Sequence, residues 1–438
     1  QKILISNRGE IAVRIERTCR LMGIQTVALF TPADQNSLHV RLADQSIPVT
    51  SQAVFFDPER VLQIALETGV DAVHPGYGFL AERPDFTLAC REAGISVIGP
   101  PVELVTELTD KIAVLEKAAA AGFPVVQHSG MCFDELAVTR LAEAAERLGY
   151  PVVVKSCLGG RGRGERLVRS PGQLEQAIRR AEAESQAFYG RRSVFLEKAI
   201  LPAHQVNVQI LGDRYGQRVH LGEREGSVLR GNQKLVEESP APFCSPELRS
   251  VIWQMAVGLA NLFELQNACS IEFLIDAQGR PFFTEIKTRL QVEHPLTESC
   301  SGVDLVAEQI RLAAGQPLGY TQAEVHLAGW SILCRVTAED PLNNFLPTPG
   351  ILRSVRLPAG PEVRVDTFIS SGCTVSPDYD PLLAKLTVTS KVSPLALVWR
   401  SKLSATRLLP VELPLALALA VPLATSVPTG TPGGGTTM

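Results

Sequence analysis

Charged and amide side chains occupy every second position from Glu285 to Glu293 in Phe283-Thr-Glu-Ile-Lys-Thr-Arg-Leu-Gln-Val-Glu-His-Pro-Leu-Thr-Glu298. Residues two apart on an extended strand share a face, so Glu285, Lys287, Arg289, Gln291 and Glu293 are expected to converge on one surface. No hydrophobic core can accept such a surface, while Phe282, Phe283, Ile286, Leu290 and Val292 flank it with apolar groups. A solvated edge strand is the commoner use of alternating charge. The strand that precedes this one argues instead for a site that handles anions and a metal together.

Ser270-Ile-Glu-Phe-Leu-Ile275 and Arg280-Pro-Phe-Phe-Thr-Glu285 are separated by Asp276-Ala-Gln-Gly279, a hairpin turn expected to bring Glu272 beside Glu285. Adjacent carboxylates repel unless a cation lies between them. Hard oxygen ligands suit magnesium, which is commonly held by one or two carboxylates plus water and substrate phosphates, so an ATP site is the leading expectation. Phosphate contacts are expected from Pro151-Val-Val-Val-Lys-Ser-Cys-Leu-Gly-Gly-Arg-Gly-Arg-Gly164, where an apolar strand carrying Lys155 runs into a glycine-rich loop. Few Cβ atoms there keep backbone amides from approaching phosphate. The loop lacks the Lys-Ser/Thr ending of a Walker loop and the dinucleotide glycine spacing, and taken by itself it also fits a surface turn.

Length and composition agree without pointing to any one function. A chain of 438 residues suggests about three domains, and 45% hydrophobic content suffices for packed cores. The net charge of −4 gives no basic footprint for nucleic acid or for an acidic membrane surface. Nine cysteines without a CxxC pair read as reduced, mostly buried thiols of a cytoplasmic protein. Residues 1–30 read as strand, amphipathic helix and strand rather than as a signal peptide, and the start at Gln1, so near the first strand, is expected of a trimmed or fragmentary beginning. Residues 1–110 alternate apolar strands (2–6, 26–30, 72–74, 96–98) with helical stretches (10–22, 58–68), the rhythm of a parallel sheet. Asn7-Arg-Gly-Glu10, at the first strand-to-helix turn, is where such a sheet accepts an anion, although structural turns of that form are commoner.

Taken in order, these features resemble the biotin carboxylases, which are ATP-grasp ligases, over nearly the whole chain to about residue 390. The resemblance rests on Ile5-Ser-Asn-Arg-Gly-Glu-Ile-Ala-Val-Arg14, His74-Pro-Gly-Tyr-Gly-Phe-Leu-Ala-Glu82, Gly222-Glu-Arg-Glu225, Asn232-Gln-Lys-Leu-Val-Glu-Glu-Ser-Pro-Ala-Pro242 and the stretch from Glu285 to Glu298. It continues through Cys334-Arg-Val-Thr-Ala-Glu-Asp-Pro341, Phe345-Leu-Pro-Thr-Pro-Gly350 and Tyr379-Asp-Pro-Leu-Leu-Ala-Lys385. It implies a mixed α/β and α+β fold, with an N-terminal parallel-sheet (pre-ATP-grasp) domain over 1–110, an ATP-grasp domain over 111–315 and a C-terminal β-rich domain over 328–390. The implied activity is ATP- and bicarbonate-dependent carboxylation of biotin through carboxyphosphate. The implied cofactors and partners are ATP, magnesium or manganese, bicarbonate, biotin on a biotin carboxyl carrier protein, a carboxyltransferase subunit and a second copy in a homodimer.

Residue by residue, the resemblance gives Glu272 and Glu285 to the metal, with Lys287 at a position where the family has a metal-ligating asparagine. Lys111, Lys155, Gly160, Arg161 and Gly162 fall to the phosphates, and Glu197, Lys198, Ala199 and Ile200 to the adenine. Gln205, Asn232, Gln233 and Leu274 complete the nucleotide set, while Arg289, Lys234 and the backbone at Gln291 and Val292 are implied to hold bicarbonate. Glu293 is the implied base and Arg335 faces the biotin ureido oxygen, unless Glu339 or Asp340 claims it for structure; His294 reads as structural.

Departures from the family cluster at the same site. Lys287 offers only donors and cannot coordinate magnesium, so a salt bridge with Glu285 is expected. Leu158 and Arg161 replace loop glycines, Gln205 and Asn207 stand for His and Glu, and Leu229, Gly231 and Asn232 for Gln, Arg and His. An impaired paralogue serving as a binding or assembly subunit, or an ATP-grasp ligase for another acid and amine, are therefore the alternative readings. The apolar, proline-bounded stretch from Leu413 to Pro422 leaves the family pattern, is too short to span a bilayer, and leads to the expectation of a disordered tail over 391–438.

Overall fold

The computed structural model describes residues 1–134, 138–157, 165–189, 192–231 and 233–391. Leu158, Gly160, Arg161, Gly162, Asn232 and the expected tail beyond Lys391 lie outside the described residues.

The first segment follows its strand-helix rhythm. Strands β1 (Lys2–Ile5), β2 (Gln25–Phe30), β3 (Gln45–Pro48), β4 (Ala72–His74) and β5 (Ser96–Val97) form a parallel sheet in the order β3-β2-β1-β4-β5. The sequence reading omits β3, whose Gln-Ser-Ile-Pro has a single strongly apolar residue. Helix Pro58–Thr68 shows how local chemistry sets limits: the Asp57 carboxylate accepts from the Arg60 amide at 3.0 Å, proline opens the first turn, and Gly69 ends it at φ 60°. Helix Gly9–Leu21 is bound to the far end of the chain through Arg14, which pairs with Glu298 at 2.6 Å and Asp304 at 2.8 Å.

The same helix buries Glu16 with neither carboxylate oxygen hydrogen-bonded. Burial pushes its carboxyl from an ordinary value of 4.5 up to about 9, against the partial relief of Arg20 and Arg17. A raised folded value means that stability is whole below the unfolded value and is lost as pH climbs toward the folded one. Glu16→Gln is therefore expected to raise stability at pH 8 by about 2–3 kcal/mol and to be neutral near the unfolded carboxyl value, as read by denaturant melts at both pH values.

A second body carries β6 (Phe133–Asp134), β7 (Val152–Ser156), β8 (Arg166–Val168) and β9 (Ser193–Lys198) in the order β6-β9-β7-β8. Val152, Val154, Val194 and Leu196 pack under helices Val138–Leu148 and Pro171–Tyr189 in a core of their own. Cys132 and Cys157, flanking β6 and β7, are joined by a disulfide. This corrects the expectation that all cysteines are reduced thiols; chain folding brings together two residues whose spacing matches no pairing motif. Seven others are free, and six of these are buried.

The largest sheet unites the rest of the chain. Its members are β10 (Ala203–Gly212), β11 (Arg218–Arg230), β12 (Gln233–Ser239), β13 (Asn267–Asp276), β14 (Pro281–Lys287) and β15 (Trp330–Thr337). The short strands β16 (Glu339–Asp340), β17 (Leu346–Pro347) and β18 (Gly350–Ile351) follow, and then β19 (Val363–Thr367), β20 (Thr374–Val375) and β21 (Leu382–Ser390). The eight-stranded order is β14-β13-β10-β11-β12-β15-β21-β19, antiparallel throughout. The C-terminal β-rich segment thus joins this sheet through β15, which pairs with β12 with Val236 opposite Cys334, while β16 with β17 and β18 with β20 form separate two-stranded sheets. One face of the sheet packs against helices Lys111–Ala120 and Pro246–Leu262 through Val206, Ile271, Phe273, Leu115 and Leu259. No described helix is long and apolar enough to cross a membrane.

Candidate active site

The hairpin forms as its turn residues demand. Asp276 accepts from the amides of Gln278 and Arg280 at 2.9 Å, and the antiparallel register sets Glu272 directly opposite Glu285. The strand itself is shorter than the sequence suggests, because β14 ends at Lys287, paired with Ser270, and helix His294–Ser301 starts just after Glu293 with Pro295 in its first turn. Arg289, Gln291 and Glu293 therefore reach the site from a connecting segment, not from one strand face. They are brought together all the same.

Two groups of charges result. At the first, Glu285 meets Lys111 at 3.2 Å and is hydrogen-bonded by the Lys287 ammonium. Lys111 opens a helix whose Asp110 cap accepts from the Ile112 and Ala113 amides at 3.1 Å, so its position is set by the helix start. Burial opposes the charge on Glu285, but Lys111 and Lys287 outweigh it and hold the carboxyl down near about 2. Glu272 accepts from Gln291 Nε2 at 2.9 Å.

At the second, Glu293 meets Lys234 at 2.5 Å and Arg335 at 3.1 Å. Burial again disfavours the charge, yet Lys234, Arg335 and Arg224 hold this carboxyl well below the usual carboxylate range. Glu237 lies 3.3 Å from Lys234 and 3.6 Å from Arg335, and burial followed by the like charge of Glu293 pushes it up to about 7. Two carboxyl groups around shared cations are thus driven apart, Glu293 downward and Glu237 upward. Arg335 pairs with Glu293 and Glu237, which overturns Glu339 and Asp340 as its partners. Glu339 is taken by Arg230 at 2.6 Å, and Asp340 accepts from the Leu342 amide.

Residues the sequence reading gave no role hold the two groups together. Arg224 is fully buried and donates to Gln291, Thr297, Gln209 and Ser270, so it fixes the amide that reaches Glu272. Asn207, opposite Glu272, donates to it at 3.2 Å and accepts from Lys234 at 2.6 Å in the amide orientation its neighbours dictate. Lys385 bonds the Val292 carbonyl at 3.0 Å and pairs with Glu10 at 2.8 Å. Glu82 pairs with Arg289 at 3.1 Å. Gly226 leaves room for the Lys234 stem, since a Cβ there would lie 2.9 Å from Lys234 Cδ. Periodicity carries no signal for such partners, because each comes from a distant strand or helix.

The expected nucleotide residues are split. Lys155 pairs with Glu197 at 2.6 Å, so an ammonium engages the carboxylate at the end of β9. Lys198 bonds the Gly149 and Tyr150 carbonyls, leaving the backbone from Lys198 to Ile200 beside a cleft of about 520 Å³ bounded also by Gln278 and Phe282. Gln205 faces Leu274 across β10 and β13, while Gln233 accepts from Arg230 at 3.0 Å. Asn7 and Arg8 form a structural turn: Asn7 donates to the Pro75 and Tyr77 carbonyls, and Arg8 pairs with Asp34. The buried His294 ring lies 2.8 Å from the Gln291 carbonyl.

As a metal site the carboxylate pair is incomplete. Among the described residues no cluster of three or more His, Cys, Asp or Glu side chains could hold an ion. Glu272 and Glu285 fit a magnesium that arrives on a nucleotide, bringing phosphate and water ligands with it.

Comparison with known proteins agrees. Residues 1–105 match the biotin carboxylase N-terminal domain, residues 110–321 the carbamoyl-phosphate synthase L chain ATP-binding domain, and residues 333–414 the biotin carboxylase C-terminal domain. A biotin carboxylase of Halalkalibacterium halodurans is 43% identical over 394 residues, 89% of this chain and 86% of the relative. Biotin carboxylase 1 of Bacillus subtilis is 40% identical over 395 residues, covering 89% and 87%. The biotin carboxylase domain dimer of Hydrogenobacter thermophilus 2-oxoglutarate carboxylase, solved with MgADP, ADP and bicarbonate, superposes with a TM-score of 0.86 at 39% identity, over 92% of this chain and 88% of that one. With three domain matches in order and relatives this similar along most of their length, the chain belongs to the biotin carboxylase family of ATP-grasp ligases.

Proposed function

We propose that this chain carboxylates biotin carried on a separate carrier protein, using MgATP and bicarbonate. The observation that carries this reading is Glu293, a buried carboxylate set between Lys234 and Arg335 with a second carboxyl group, Glu237, beside the same cations. Arg289, Lys234 and the backbone at Gln291 and Val292 bind bicarbonate, for which a planar guanidinium supplies paired donors. Glu293 takes the bicarbonate proton as the oxygen attacks the terminal phosphorus, the bond to ADP breaks, and carboxyphosphate forms. Carboxyphosphate splits to carbon dioxide and phosphate, the phosphate takes the N1 proton of biotin, and N1 adds to carbon dioxide. Arg335 stabilises the negative ureido oxygen, while Lys111, Lys155 and Arg161 neutralise the phosphates and the backbone amides of Gly160 and Gly162 donate to them. The backbone from Lys198 to Ile200, with Ala199, Leu274 and Gln205, receives the adenine; Glu197 orients Lys155.

The functional units are residues 1–110, 111–315 and 328–390, in a cytoplasmic homodimer that works with a carrier protein and a carboxyltransferase. The test is ADP release by the purified chain with and without bicarbonate and free biotin. Release that requires both is expected; a bound nucleotide with no turnover above background would overturn the reading. The Lys287–Glu285 pair favours a second reading, a nucleotide-binding assembly subunit, which that outcome would select.

A further inference from the structure

One carboxylate of the pair on β13 and β14 already has its cations. Glu272 and Glu285 face each other across the hairpin, an arrangement that would need an external cation if nothing else lay near. Lys111 approaches one oxygen of Glu285 and Lys287 bonds the other, while Gln291 donates to Glu272. Both ammonium groups thus lie on Glu285, one on each carboxylate oxygen, while Glu272 is met by the amides of Gln291 and Asn207. Lys287 is 5% exposed, and its bond to Glu285 lies two residues away along the same strand face, so its charge is anchored there by the pleat.

We propose that Lys287 is a tethered cation of the nucleotide site, taking over part of the charge neutralisation that a divalent ion supplies, so that the chain binds nucleotide with weak dependence on free magnesium. The inference rests on the nucleotide reading of the site given above. A magnesium ion arriving on ATP meets one carboxylate, Glu285, whose charge is already offset, and therefore gains less from the pair than from two bare carboxylates. The ammonium has no lone pair to offer as a ligand, so it acts through charge alone.

The test is the dissociation constant of ADP from the full chain, by calorimetry, in EDTA and in magnesium, together with manganese binding read by electron paramagnetic resonance. Wild type is expected to weaken by no more than about fivefold when magnesium is removed, whereas Lys287→Met is expected to weaken by about tenfold or more, since a buried cation near phosphate has been lost. Lys287→Arg keeps the charge and is expected to behave as wild type. Lys287→Asn, which adds an oxygen donor, is expected to bind manganese about tenfold more tightly than wild type. Circular dichroism checks that each variant is folded. Wild type that already loses tenfold or more without magnesium, with Lys287→Met unchanged from it, would overturn the tethered cation while leaving the nucleotide site intact. Failure of wild type to bind ADP in either condition would overturn both.

Discussion

Glu293→Gln is expected to lower bicarbonate- and biotin-dependent ATP hydrolysis by about 10²–10⁴-fold, the range of a lost general base, with ADP affinity within about threefold of wild type. The carboxylate is buried and ionised because Lys234 and Arg335 flank it, and the amide can neither take a proton nor carry that charge. Stability should fall much less than the loss suggests. Leaving a buried cation unpaired costs about 3–5 kcal/mol, but Glu237 stands 3.3 Å from Lys234 and is raised partly by Glu293 itself. With Glu293 neutral, Glu237 ionises more readily and takes over both cations. The double variant Glu293→Gln/Glu237→Gln has no such reserve, so denaturant melts should show it destabilised by about 3 kcal/mol beyond the sum of the single changes. Additive melts would show that the two carboxylates do not share the cations.

Lys385→Met is expected to lower turnover by about 10–100-fold although Lys385 would touch no substrate, because small displacements of a positioned backbone are costly. Its ammonium, wholly buried, bonds the Val292 carbonyl in the segment between β14 and Glu293 and pairs with Glu10 of the first helix. Methionine keeps the stem and removes both bonds. It should also cost about 3 kcal/mol, since Glu10 is left buried without its partner. Adding Glu10→Gln removes the unpaired acid and should restore most of the stability, with the turnover defect and a raised KM for bicarbonate remaining. Recovery of activity together with stability would reduce Lys385 to a structural ion pair.

The site was legible in the sequence where chemistry is local. Alternation picked out Glu285, Lys287, Arg289, Gln291 and Glu293; the Asp276-to-Gly279 turn placed Glu272 against Glu285, and the ammonium-only chemistry of Lys287 anticipated its bond to Glu285. The same alternation overran the strand, because period alone does not reveal where a partner strand stops or where Pro295 starts a helix. The alternative to a biotin-facing Arg335, a structural pair with Glu339 or Asp340, rests on nearness in sequence, whereas β15 lies against β12 and Arg335 meets Glu237 and Glu293 instead. Cys132 and Cys157 were missed as a pair for a like reason: they flank strands that only the fold makes neighbours.

What the sequence by itself determined is the strand-helix rhythm of the first segment, the hairpin before Glu285 and the chemical kinds of group at the site, since turn residues, helix caps and the two-residue period act over a few positions of chain. Tertiary structure alone decided which charges are ionised and what holds them. Arg224, Asn207, Glu237 and Lys385 come from strands distant in the chain from Glu293, and burial beside particular neighbours sets Glu293 low and Glu237 high. Desolvation and Coulomb energy depend on distance through space, and a linear sequence does not contain that distance.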